Sequence, residues 1–297
     1  MLKKAPNGAL IFKIMKIQLL LFNFILSVFL NAQEMKFPPG TKFSKMEFEK
    51  KIFEVSNTNI IYKYTFIKDV KTSKSDITST ILSIGNNYTK FYDYNRFLFE
   101  KDLDSINKHK KNIEVNDVTK LISLMRKIKF QPTILGQFYD NKINYIFQDK
   151  IYTNKFQYDY EDYKLDWKLT SNIKDIGEYK CKEAILNFGG RKWIAYYAEM
   201  IPLNYGPYIF NGLPGLILEI YDEKNEHHFL FEGIISNKDI LIYQDDTYAK
   251  NRISKNDFLK GIKNFYDNPV QLMGKSYSAP NIEDEFKSIP YNPIELE

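Results

Sequence analysis

The stretch GEYKCKEAILNFGGRKWIAYYA, Gly177 to Ala198, decides the fold. Two runs rich in aromatic and aliphatic residues flank Gly189-Gly190. A Gly-Gly pair between strand-like runs signals a two-residue hairpin. A hairpin here makes its two strands antiparallel, and the rest of the chain extends the same pattern.

Upstream, IIYKYTFI (Ile60 to Ile67), ITSTILSI (Ile77 to Ile84) and YTKFYDY (Tyr88 to Tyr94) follow one another across short polar turns and read as a meander. INYIFQ, YTNKFQYDY and YKLDWKLT continue it from Ile143 to the hairpin. Downstream, HHFLFEGII (His227 to Ile235) and ILIYQDD (Ile240 to Asp246) are further strands. Two segments break the period. NDVTKLISLMRKIKF spaces Val118, Leu121, Ile122, Met125 and Ile128 by three and four residues behind Asn116 or Asp117, which predicts a helix ending before Pro132. Ser254 precedes NDFLKGIKNFYDN, a second helix. Strands joined by short turns, with so few helices, predict a mainly β fold: a curved antiparallel sheet or incomplete barrel with two or three short helices.

FNGLPGLILEIYD, Phe210 to Asp222, launches a strand in this scheme. Leu213 to Leu216 fit a type II turn, with Pro214 fixing φ and Gly215 supplying positive φ. The segment lacks the Lys-Ser/Thr and the following helix that a nucleotide loop needs.

With 44% hydrophobic residues, 22 Tyr and 23 Phe, the composition is that of a folded chain. The net charge of +5 is concentrated at the start: Lys3, Lys4, Lys13 and Lys16 precede the first acid, Glu34, and removing them leaves +1. A near-neutral remainder gives no basic footprint for nucleic acid, and KHKKN at Lys108 to Asn112 is too short to supply one. Met15-Lys16 followed by IQLLLFNFILSVFLNAQ has the charged start, apolar stretch and small boundary residue Ala32 of a secretory signal. The expected organisation is a signal peptide at 1–32, with a second start at Met15, a lead segment at 33–58 and one β-rich domain at 59–297. The run from Ile17 to Leu30 is short for a membrane span, so the exported chain is not expected to be an integral membrane protein. Its single cysteine, Cys181, cannot form an internal disulfide, so packing must hold the fold together.

Chemistry is hard to find. Of three histidines, His227 and His228 are adjacent on a strand and point to opposite faces, so they do not grip one metal ion together. No G-x-S-x-G, dinucleotide fingerprint or phosphate loop occurs, and no catalytic residue, metal or cofactor is assigned. Acids cluster at Asp159, Glu161 and Asp162, near Asp166, and again at Asp245-Asp246. The most distinctive feature is aromatic: Trp193, Tyr197, Tyr205, Tyr208 and Phe210 surround a loop stiffened by Pro202, Pro207 and Pro214. Such rings suit an apolar or peptidic ligand if exposed, or a core if buried.

GLPGLILEI, together with IPLNYGP and the strand pair quoted first, resembles the exported GLPGLI family of two-membraned bacteria. The resemblance runs from Trp167 to Asp222, through Gly177, Tyr179, Lys180, Cys181, Ala184, Gly190-Arg191, Trp193, Ile201-Pro202, Gly206-Pro207 and Gly212, Leu213, Pro214, Gly215, Leu216 and Ile217. The ending NPIELE, Asn292 to Glu297, is also similar to the family's terminus, whereas Tyr196-Tyr197 departs from its aromatic-plus-small pair. The resemblance implies export and a β-rich fold, and it implies no reaction. The expectation is an exported, non-enzymatic protein, periplasmic, outer-membrane associated or extracellular. It would bind an apolar or peptidic ligand, or an outer-membrane transport or envelope protein, near the Tyr205 to Gly215 loop. An exported hydrolase using Asp159, Glu161 or Asp166, and an envelope structural protein, stay open as alternatives.

Overall fold

The computed structural model describes residue 38 and residues 41–45, 49–139, 142–161, 163–235, 239–270 and 288–296. The expected signal peptide and Asp162 lie outside the described residues. The chain divides into two units, Met1–Phe43 and Ser44–Glu297. Of the first, the described part is a turn, in which Thr41 donates from both N and Oγ1 to the Pro38 carbonyl at 3.2 and 2.7 Å, and the strand β1 (Lys42–Phe43).

In the second unit the strands are β2 (Lys50–Val55), β3 (Thr58–Asp69), β4 (Lys74–Ile84), β5 (Tyr88–Asp93), β6 (Ile113–Glu114), β7 (Thr133–Tyr139), β8 (Lys142–Ile151) and β9 (Asn154–Tyr160). They continue with β10 (Lys168–Ile176), β11 (Tyr179–Phe188), β12 (Arg191–Ala198), β13 (Leu216–Asp222), β14 (His227–Ile235) and β15 (Leu241–Asp245). Eleven of them form one open antiparallel sheet in the order β10-β11-β12-β13-β14-β3-β4-β5-β7-β8-β9. Two meanders, one of β3, β4, β5, β7, β8 and β9 and the other of β10 to β14, are therefore joined side by side through β14 and β3, with Phe229 opposite Tyr64. The mainly β, curved antiparallel reading holds.

The quoted hairpin is present. Gly189 and Gly190 both take positive φ, at 58° and 70°, and bring Phe188 opposite Arg191. Cross-strand pairing then decides which residues become core. On the inner face Ala184, Ala195, Ile220, Phe229 and Tyr64 follow one another across five strands, all buried. Tyr64 and Phe229 stack at 4.1 Å, and Phe91 meets Phe229 edge-on at 6.0 Å. Filling the centre of the sheet with rings buries large apolar areas and replaces the disulfides that a single cysteine cannot make.

Four helices are described where two or three were expected: α1 (Tyr94–His109), α2 (Val115–Lys127), α3 (Asp246–Ala249) and α4 (Lys255–Asp267). The unexpected long one is α1. It buries only Phe99 and Leu103, so its sequence carries a weak stripe. Its start is fixed instead by Asp93, which is fully buried. The Asp93 carboxylate accepts from Asn95 N at 2.8 Å, Thr78 Oγ1 at 2.9 Å, and Lys129 N and Phe130 N at 3.0 Å each. Those last two bonds also explain why α2 stops at Lys127 rather than running on to Phe130: the amides that would continue it are taken by Asp93. The N-cap of α2 is Glu114, not Asn116 or Asp117, and Glu114 N donates to Asp117 Oδ2 at 3.0 Å. Ser254 caps α4 as expected, accepting from Asp257 N at 3.1 Å. Four of the described strands were not read from the sequence, β1 and β2 in the lead segment, the two-residue β6, and β7 after Pro132, and β10 starts only at Lys168. Among the described residues no helix is long and apolar enough to cross a membrane.

Candidate functional site

The connection from β12 to β13 carries the prolines and most of the aromatic residues. It folds back on itself: Ile201 N and Leu216 N bond the Ala198 and Ile201 carbonyls at 3.1 Å each, and Ile217 N bonds Tyr205 O at 2.9 Å. Gly212 N donates to Asn204 O at 2.9 Å, and Tyr205 forms a β-bridge with Asn211. The expected type II turn at Leu213 to Leu216 is corrected here. Gly212 has the positive φ, +88°, and Gly215 does not. What requires glycine at 215 is proximity: a Cβ there would meet Ala198 O and sit 2.6 Å from Ala198 C and 2.8 Å from Glu199 N. A Cβ on Gly206 would sit 2.7 Å from Ile217 Cδ1 and 3.0 Å from Phe210 O, and Pro207, Leu213, Leu216 and Ile217 are buried around it while Pro202 and Pro214 stay exposed. Gly177 turns β10 into β11 with φ +59°, and the half-buried Tyr179 meets Phe231 edge-on.

Four of the five aromatic residues singled out as ligand-facing lie in the core. Trp193, Tyr197 and Phe210 are at most 1% exposed, Tyr208 is 7% exposed, and Tyr205 is half-buried. Trp193 packs 4.8 Å from Phe210 and donates Nε1 to Phe188 O at 3.1 Å. Trp167 donates to Asn211 O at 2.8 Å and Tyr62 to Ile217 O at 2.9 Å, so the loop is riveted to the inner face from both sides. Tyr208 is held at φ 59°, a costly conformation for a bulky residue.

Its hydroxyl explains why. Tyr208 donates to Glu295 Oε1, while Tyr160 OH at 2.8 Å and Lys255 Nζ at 2.7 Å reach Glu295 Oε2. Beside it Arg191, the first residue after the hairpin turn, spreads its guanidinium in a buried site. Nη1 meets Asp222 Oδ2 at 2.9 Å and Glu226 Oε2 at 2.7 Å. Nη2 meets Asn292 Oδ1 at 2.6 Å and Pro293 O at 2.8 Å, and Nε meets Ile294 O at 3.1 Å. The terminal NPIELE segment and the glycine-rich loop are thus parts of one polar clasp. Neither Arg191 nor Glu295 was identified from the sequence as anything but a matching residue, because 104 positions separate them.

The opposite face of the same strands carries a second polar row. Glu183 accepts from Tyr196 OH at 2.8 Å, Thr170 Oγ1 at 2.9 Å and Asn172 Nδ2 at 2.9 Å; these bonds outweigh its burial and hold its carboxyl below the usual range. Glu219, next across the sheet, is held low in the same way by His228, 3.0 Å away, and by Lys174. Both are ionised acceptors with cations or donors in place, and neither is poised to give up a proton. His227 and His228 do fall on opposite faces. His227 is buried, bonds Tyr64 OH at 2.7 Å through Nδ1, and is pushed down to about 3 by burial and then by Arg191. Cys181 is fully buried, and burial pushes its thiol up to about 11. The acids weighed for hydrolysis do not converge: Asp159 pairs with Arg252, Asp166 with Lys164 at 2.8 Å, Glu161 is exposed, and Asp245 caps α3.

Two buried groups escaped the sequence reading. Lys90 lies between the rings of Tyr92 and Tyr243, 4.2 and 3.5 Å from their centroids, with Glu100 at 3.6 Å, and burial pushes it down to about 8. Asp149 is pushed up to about 6 by burial, against a 2.7 Å bond from Lys150 N and the field of Arg96. A carboxyl whose pKa is raised on folding contributes stability below its unfolded value, near 3.8, and loses it as pH rises through about 6. Asp149→Asn is therefore expected to gain stability relative to the parent between pH 4 and pH 7, on the order of 2 kcal/mol. Urea melts at the two pH values check this; an unchanged difference would mean that Asp149 stays ionised throughout.

No curated protein matches the chain. Among solved structures it is similar to PNGF-II in two crystal forms. The TM-score is 0.44 in both, at 14% identity over 72% of this chain for the C2 form and 15% over 71% for the P21 form. The chain spans about a third of the length of PNGF-II, 34% in each case. Residues 189–219, which hold the hairpin glycines, Arg191, the proline loop and the start of β13, match the model of a family described as a protein of unknown function, Porph_ging.

Proposed function

We propose that this is an exported, non-catalytic binding or accessory protein of the GLPGLI type, acting at the periplasm or outer membrane. On this reading it meets a peptidic or membrane-protein partner at the β10 end of its sheet. The carrying observation is the state of β10. It ends the strand order, it is exposed along nearly its whole length, and it offers Leu169 and Ile173 at 60% and 55% exposure. An end strand with apolar side chains fits an added strand from a partner, main chain to main chain. Small-ligand binding among the five rings is less favoured, because four of them already fill the core. Support for the family type comes from contact: Arg191 and Tyr208, within the stretch that carries the resemblance, bond residues 292–295 of the similar ending.

The test is capture of a partner from a detergent-solubilised envelope extract by the full chain, with native mass spectrometry of the complex, and cell fractionation to check export. Leu169→Asp with Ile173→Asp should abolish capture while moving stability by no more than about 0.5 kcal/mol per site, since both side chains are exposed. Equal capture by the double variant would remove β10 from the reading, and a chain that stays bare in both assays would remove the binding role itself.

A further inference from the structure

We infer that the clasp on the inner face is a peptide-recognition site for an Asn-Pro-Ile-Glu segment, occupied in this structure by the chain's own C-terminus and able to take the same segment in trans. The contacts read the segment residue by residue. Asn292 is bonded through both halves of its amide: Oδ1 accepts from Arg191 at 2.6 Å and Nδ2 donates to Ile67 O at 2.9 Å. An aspartate or a leucine could satisfy only one of those partners or neither. Pro293 fixes φ and leaves its carbonyl to Arg191 at 2.8 Å, so the segment enters with little conformational freedom to lose. Ile294 is 9% exposed and belongs to the main core cluster, with its carbonyl on Arg191 Nε. Both oxygens of Glu295 are engaged, by Tyr208, Tyr160 and Lys255.

The fifth residue marks the end of the site. Leu296 is held only by its backbone, N to Gly189 O at 2.8 Å, and its side chain is 56% exposed. The receptor side is shaped for the peptide as well. A Cβ on Gly189 would stand 2.8 Å from Glu295 Cγ and 3.1 Å from its Cα, so the hairpin glycine leaves the room that the segment fills. A guanidinium that spends three bonds on amide and carbonyl oxygens of three consecutive residues, with a separate acid-binding trio on the fourth, is the machinery of sequence-selective peptide binding. This inference does not depend on β10, and its failure would leave the edge-strand reading untouched.

The probe is the labelled heptapeptide of residues 291–297, Tyr-Asn-Pro-Ile-Glu-Leu-Glu. A protease site placed between residues 276 and 281 of the full chain, cut after folding, leaves the tail held by non-covalent contacts alone: the clasp, the Ile289 N to Tyr266 O bond at 2.7 Å and the stack of Tyr291 on Tyr266 at 4.3 Å. The expected result is that the cut tail stays bound through gel filtration and is displaced by excess heptapeptide. A peptide with alanine in place of glutamate 295 should be weaker by about 30-fold or more, as for loss of one partner of a buried charged pair. On the uncut chain, excess heptapeptide should speed hydrogen exchange of the Leu296 amide and leave that of the β12 amides unchanged. No displacement at millimolar peptide together with unaltered Leu296 exchange, or equal displacement by a scrambled heptapeptide, would overturn the inference.

Discussion

Arg191→Met is expected to destabilise the fold by about 3–5 kcal/mol, the cost of removing one partner from a buried ion pair. The side chains of Arg191 and Asp222 are 3% and 2% exposed, and Glu226 is 12% exposed. Methionine keeps most of the length and apolar volume of arginine, so little packing is lost and the effect is mainly electrostatic. Asp222 would keep one bond, from His227 N to Oδ1 at 2.7 Å, but would lose the guanidinium that neutralises it. The carbonyls of Pro293 and Ile294 would lose their donors as well, each an added cost when buried. Urea melts at pH 7 measure the loss. The companion variant Arg191→Met with Asp222→Leu removes the stranded charge, and recovery of part of the loss identifies that charge as its source. A single variant within about 1 kcal/mol of the parent would mean that the guanidinium is not what holds the clasp.

That clasp marks where sequence reasoning stopped. The hairpin at Gly189-Gly190 was legible because its information is local: a tight turn needs positive φ at two adjacent positions, and glycine supplies it. The meander strands other than β7 were legible for the same reason, since short polar turns separate them, whereas β7 follows a helix rather than a turn. The joining of β14 to β3 was not, because His227 to Ile235 and Thr58 to Asp69 are more than 150 positions apart and each would pair plausibly with other strands. Helix α1 was missed because its capping residue, Asp93, looks like the end of a strand, and only the tertiary fold brings Thr78, Lys129 and Phe130 to it. Lys90 and Asp149 were missed because nothing in the period of a strand tells which face another element will cover. The aromatic loop shows the same gap from the other side. Its rings were conspicuous, but exposure and burial have one sequence signature, and it took the inner face of the sheet to place four of five in the core.

The glycine of the signature string carries the sharpest local test, because the two possible reasons for a glycine predict different costs. Gly212 has φ +88° and nothing within 4 Å of a built Cβ, so Gly212→Ala should cost only the backbone term, about 1 kcal/mol. Gly215 does not have positive φ, yet a Cβ would press on the carbonyl group of Ala198 and stand 2.8 Å from Glu199 N. Those atoms are backbone at the end of β12, held by the Ile201 N to Ala198 O bond of 3.1 Å, and they cannot swing aside as a side chain would. Alanine at 215 must push β12 and β13 apart at their shared end, where Ala198 faces Leu216, both fully buried. Overpacking of a rigid core costs about 1–3 kcal/mol, and a clash with main chain belongs at the upper end, about 3 kcal/mol. Gly215→Ala should therefore lose roughly three times as much stability as Gly212→Ala in matched denaturant melts. Equal losses at the two sites would show that strand proximity does not fix the identity of residue 215, and a larger loss at Gly212 would return the requirement to backbone conformation.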